Sequence, residues 1–227
     1  MGSDDLFHKR KARAGAALQR TQRERARNKR VLIVCEGTKT EPHYLHELLN
    51  DLHISPQVVR VAPNDGVSPG RVVAHALKLY EEDAKAGDAF DQVYCVFDRD
   101  NHTTFDAAVQ ETKNLTTAGK PFVAITSTPC FEVWLLLHFG YTDQPFHAAG
   151  KKSVGNQVVS ALKTKPGFAK YDKGQKGVYV QLKPKLTDAL THAERLRKQG
   201  VKTGSINPAT DVDILVKAIQ ALARSSG

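Results

Sequence analysis

An α/β fold, with a parallel sheet of about four strands covered by helices on both faces, is what this 227-residue chain predicts. Three observations carry it. Between residues 31 and 140, apolar runs of strand length alternate with longer segments of helical period, the pattern of successive β–α units. The runs are continuously apolar rather than alternating, as strands buried on both faces are. Glycines at 87, 119 and 140 and prolines at 69 and 129 fall where the periods change, so local punctuation agrees with the pattern.

"VLIVC" (31–35) is the first strand, and "EPHYLHELLNDL" follows it after a turn, with Tyr44, Leu45, Leu48 and Leu49 on one helical face. "QVVRVA" reads as the second strand. "SPGRVVAHALKLYEEDAKAG" is a helix opened by Ser-Pro and closed by Gly87. "DQVYCVFDRD" is a third strand with charge at its carboxyl end, followed by the helix "TTFDAAVQETKNLTTAG", which ends at Gly119. "PFVAITST" supplies the fourth strand, and "PCFEVWLLLHFG" a helix from Pro129 to Gly140. In parallel sheets ligands sit at the carboxyl ends of the strands, where this chain concentrates its charge.

From about residue 145 the text becomes Lys- and Gly-rich, then gives two amphipathic helices, "KLTDALTHAERLRKQG" and "TDVDILVKAIQALARS", the second capped by Thr210 or Asp211. The chain therefore divides into a basic arm (1–30), an α/β domain (31–144) and a mostly helical C-terminal appendage (145–227).

The composition is 41% hydrophobic, that of a globular protein. No apolar stretch reaches the roughly 18 residues of a membrane span, and the N-terminus has no apolar core for a secretory signal, so a cytoplasmic protein with no membrane partner is expected. Cys35, Cys95 and Cys130 are odd in number and never in a C-x-x-C pair, which points to small buried hydrophobes rather than disulfides or zinc. The net charge is +9. Residues 1–30 hold ten Lys and Arg against three acids, and residues 151–185 hold nine Lys against Asp172 alone, which leaves the remaining chain net negative. Two basic segments around an acidic body suit nucleic acid, DNA or RNA, held across a carboxylate site. The alternative for each run is a solvated tail or face.

The turn "CEGTKTE" offers two chemistries. A phosphate loop needs G-x-x-x-x-G-K-[ST], and no glycine precedes Gly37 at that spacing. The other chemistry is a metal. Asp98 and Asp100 stand two apart at the end of an extended run and point the same way. Like charges so placed resist ionisation unless a cation neutralises them. Mg²⁺ takes a few carboxylate oxygens and needs no dedicated cage. Glu36 would face the same pocket if the first and third strands are neighbours. A lone D-x-D is otherwise a turn or a helix cap.

A strand ending in Glu-Gly, followed roughly sixty residues later by one ending in Asp-x-Asp, resembles the Toprim domain of topoisomerases, primases and overcoming-lysogenization-defect nucleases. The fuller text "IVCEGTKTEPHYL", "VFDRDNH" and "TPCFEVWLLLHF" resembles the RloB-like family, a Toprim-related group of prokaryotic defence loci. The likeness covers residues 31–140 and, more loosely, "NPATDVDILVKAI". It implies a Toprim-like, Rossmann-like sheet and a site for one or two Mg²⁺ or Mn²⁺ ions, with Glu36, Asp98 and Asp100 as ligands or general acid and base. It also implies Glu41 and Glu132 as further ligands, although Glu41 is offset by one residue from the simpler spacing and is otherwise a first-turn helix acid. Glu132 sits among Phe131, Val133 and Trp134, where an unpaired carboxylate is costly.

The chemistry expected is phosphodiester hydrolysis, with Glu36 in proton transfer and Lys39 either neutralising phosphate charge or standing as a solvated turn lysine. His43, His46 and His102 lack an H-E-x-x-H pattern and are read as supporting or surface residues. The likeness further implies an ATPase partner and a role as a nuclease effector in antiviral defence. Two rivals are a nucleic-acid-binding or ATPase-regulating module with a vestigial or structural metal site, and small-nucleotide phosphohydrolysis through "DRDNH", which departs from D-x-D-x-[TV] at His102.

Overall fold

The computed structural model describes residues 29–64, 68–99 and 103–225. The basic arm up to residue 28, Asp100 and His102 lie outside the described residues. Four strands, β1 (Val31–Cys35), β2 (Val59–Pro63), β3 (Gln92–Asp98) and β4 (Phe122–Thr128), pair in parallel in the order β2-β1-β3-β4. A fifth, β5 (Ala209–Thr210), which the sequence pattern does not announce, pairs antiparallel with the end of β4. It consists of two residues, too few to show a period.

The strands are apolar throughout because both faces are covered. In β1, Val31, Ile33 and Cys35 point into one apolar cluster and Leu32 and Val34 into the other. Each is buried, a gain of roughly 1.5–3 kcal/mol per large aliphatic side chain. Helices α2 (Pro69–Lys85) and α3 (Phe105–Thr117) cover the Leu32 face through Val72, Val73, Ala76, Leu79, Phe105 and Leu115. The Ile33 face carries α1 (Thr40–Asp51) and α4 (Glu132–Leu137), through Tyr44, Leu45, Leu48 and Trp134.

The same cluster takes in the C-terminal helices: α5 (Val154–Lys163), α6 (Val178–Leu182), α7 (Leu186–Thr203) and α8 (Val212–Ser225) contribute Val158, Leu182, Ala193 and Leu215. The α4 helix begins three residues later than Pro129, at Glu132. Within the Lys-rich stretch, α5 is capped by Ser153, whose hydroxyl accepts the Asn156 N–H. Gly200 does not end α7, which runs on to Thr203 and stops at Gly204 with φ 72°. No helix among the described residues is long and apolar enough to cross a membrane.

An ion-pair knot fixes the sheet's β4 edge. Asp213 is fully buried at the start of α8 and receives both Nη1 and Nη2 of Arg197, at 2.8 and 2.7 Å. Arg197 also reaches Asp211, whose Oδ2 accepts the Thr126 hydroxyl at 2.8 Å. The Val212 N–H donates to Thr210 Oγ1, so Thr210 serves the start of α8 as expected.

Candidate active site

The order β2-β1-β3 means the chain turns back across the sheet between β1 and β3, and such switch points open crevices at the carboxyl ends of the strands. A cavity of about 250 Å³ lies there. Its walls are the turn Glu36–Glu41, Asp98, Phe131, Glu132, Lys173 and Gly174. Five of the six residues expected from the sequence, Glu36, Lys39, Glu41, Asp98 and Glu132, therefore share one cavity; Asp100 lies outside the described residues.

Glu36 directly follows β1 and is tied to β3, because its N–H donates to Val96 O at 2.9 Å and its Oε2 accepts the Asp98 N–H at 3.0 Å. Asp98 ends β3, and its Oδ2 accepts the Phe131 N–H at 3.1 Å from the turn before α4. Glu132, only 1% exposed, is directed into the cavity by the opening of α4. Its Oε1 accepts the Tyr171 hydroxyl at 3.2 Å, and its Oε2 has no hydrogen bond, with the Lys173 ammonium 3.5 Å away. Glu41 is buried in the first turn of α1.

Burial and mutual repulsion act together on these acids. Burial raises the Glu41 carboxyl to about 7, helped by Glu132 and Glu36 and opposed by a backbone N–H and Lys173. Asp98 is pushed up by burial first, then by Glu41, Glu132 and Glu36, against the Phe131 N–H. For Lys173 burial works against the charge, but Glu132 and Asp98 outweigh it and raise its pKa. The cluster favours a cation among its carboxylates.

Among the described residues, no three His, Cys, Asp or Glu side chains stand close enough to form a ready ligand set for a metal ion. Glu36, Asp98 and Glu132 each accept one hydrogen bond from a protein donor. The donor set nevertheless fits a hard divalent cation. It is all carboxylate oxygen, and one deeply buried oxygen, Glu132 Oε2, lacks a hydrogen bond.

Lys39 is exposed on the cavity rim. The His43 Nδ1–H donates to Gly174 O at 3.0 Å, a supporting role, and His46 is exposed. The three cysteines are buried with thiols held above their ordinary pKa by burial, as small hydrophobes should be. Sequence reasoning missed Lys173 and Tyr171. Lys173 is one of nine lysines between 151 and 185, and no spacing sets it apart from the others.

No curated protein and no solved structure matches the chain. A family model described as RloB-like protein matches residues 31–219, most of its length, and the chain belongs to the RloB-like family.

Proposed function

We propose that this chain is a Toprim-type nuclease, hydrolysing phosphodiester bonds of DNA or RNA with Mg²⁺ or Mn²⁺. The observation that supports it is the convergence of Glu36, Glu41, Asp98 and Glu132, from three separate segments, on one cavity that also holds Lys39 and Lys173. Asp98, Glu36 and Glu132 would hold one or two ions, with Glu41 and Asp100 as further ligands. Bound there, such an ion would polarise a phosphoryl oxygen and lower the pKa of water. Lys39 and Lys173 bind the phosphate's anionic oxygens and take up charge as it develops. Glu36, partly open to the cavity, accepts the proton of the attacking water.

The basic runs supply sequence-independent affinity for the phosphate backbone. Family likeness supports an ATPase partner and a role as an antiviral effector, and the lack of a long apolar stretch in the sequence supports a cytoplasmic setting. In the test, purified protein cuts DNA or RNA in Mg²⁺ or Mn²⁺, and Asp98→Ala and Glu36→Ala each abolish cutting with the fold retained. Cutting that survives both substitutions sinks the reading.

A second reading is favoured by one observation: Lys173 already provides a cation beside Glu132. In it the cluster is a vestigial or structural site within a nucleic-acid-binding or ATPase-regulating module. Calorimetry would then show nucleic acid binding that is indifferent to metal, without turnover.

A further inference from the structure

We propose that Glu47 is a positioning residue for Lys173, fastening the segment that carries this lysine onto α1 so that its ammonium stands in the carboxylate cavity. The consequence for turnover rests on the nuclease reading; the fastening does not.

After α5 the chain runs without long regular structure from Thr164 to Gly177. Phe168 and Tyr171, each 1% exposed, bury its first half. Its second half crosses α1, which presents Thr40, His43, Glu47 and Asp51 at helical spacing along one face. All four are engaged. Thr40 Oγ1 accepts the Gly174 N–H at 2.9 Å, and His43 donates to Gly174 O. Glu47 uses both oxygens, Oε1 for the Gly177 N–H and Oε2 for the Tyr179 N–H at 3.0 Å. Asp51 receives the Tyr179 hydroxyl at 2.9 Å and the Lys183 ammonium.

Gly174 is thus held at both its N–H and its C=O, one residue after Lys173. The position requires glycine twice over: φ is +82°, and a Cβ would stand 2.8 Å from Lys39 Cβ. A lysine ammonium on a flexible stem pays rotamer entropy to stay in one place, so fixing the backbone beneath it matters. Glu47 fastens the segment through two charge-assisted bonds to backbone N–H groups that close the loop at the start of α6. The neighbouring Lys163, Lys165, Lys170 and Lys176 make no ion pair among the described residues, whereas Lys173 reaches Glu132. Glu47 itself does not line the cavity, so it acts only through the segment it holds.

Hydrogen exchange followed by mass spectrometry, together with steady-state kinetics, tests the proposal. Glu47→Ala raises exchange across residues 172–178 by about ten-fold or more, with β1 and β3 unchanged. It lowers kcat about ten- to a hundred-fold with little change in KM. Glu47→Gln, which keeps one acceptor oxygen, is intermediate in both and serves if the alanine variant does not fold. In a double-mutant cycle Glu47→Ala costs nothing further once Lys173→Ala is present. Unchanged exchange at 172–178, or costs that add in the cycle, overturns the proposal. If the wild-type protein cuts no nucleic acid, the nuclease reading fails and the exchange result alone decides the fastening.

Discussion

Gly37 and Glu41 are packed so closely that a Cβ on residue 37 would stand 2.2 Å from Glu41 Oε2. The glycine of the Glu-Gly pair therefore has a steric reason that φ does not supply: it leaves room for a buried carboxylate to fold back against the turn at the end of β1. Gly37→Ala drives the Glu41 carboxylate from its place. On the nuclease reading proposed above, turnover should fall by about a hundred-fold, the scale of a displaced catalytic group, while circular dichroism stays that of the parent. Unchanged turnover would remove Glu41 from the site.

Glu41 also carries a stability cost, since it is a carboxyl raised to about 7 by burial and by neighbouring acids. In EDTA at pH 8, Glu41→Gln relieves that repulsion and raises Tm by a few degrees. On the metal-site reading, saturating Mg²⁺ should narrow the gap, because a cation held there would neutralise the same charges in the parent. Thermal scans with and without metal read both effects.

The Arg197–Asp213 pair should be the costliest ion pair to break. Asp213→Ala removes a fully buried partner of a two-point contact, and about 3–5 kcal/mol of unfolding free energy is expected to go with it. The exposed Lys198–Glu194 pair is the control, and Lys198→Ala should leave the urea midpoint close to that of the parent. Urea denaturation of the two variants makes the comparison.

His138 predicts an acid weakness. Burial lowers its pKa from 6.5 to about 4, while its Nδ1–H donates to Trp134 O at 3.0 Å. As pH falls below 6.5 the unfolded chain takes up a proton that the native chain refuses. Stability therefore drops between pH 6.5 and about 4, at no more than about 1.4 kcal/mol per pH unit, and this contribution levels off below the native pKa. His138→Asn, which can keep the donor near Nδ1, should flatten that part of the profile.

Much of this arrangement is legible in the residues, and the parts that are not have physical reasons. Four strands could be read because β1 and β3 are apolar runs bounded by turns, and their pairing brings Glu36 to Asp98. Glu132 entered through the RloB-like resemblance, and its place among Phe131, Val133 and Trp134 agreed with a carboxylate that needs a partner. The two-residue β5 could not be read, since its place depends on the Thr126–Asp211 and Arg197–Asp213 contacts made only on folding. The start of α4 lies three residues beyond Pro129, at Glu132, and the Phe131 N–H before it is free of the helix and bonds Asp98. Lys173 was hidden because local sequence cannot distinguish a lysine that meets a buried glutamate from its solvated neighbours.

The most direct measurement is anomalous scattering from a crystal soaked in Mn²⁺. A peak bounded by Glu36, Asp98 and Glu132, with the Lys173 ammonium displaced from Glu132 Oε2, is the predicted result. An empty cavity at saturating Mn²⁺, with Lys173 still paired to Glu132, would contradict it.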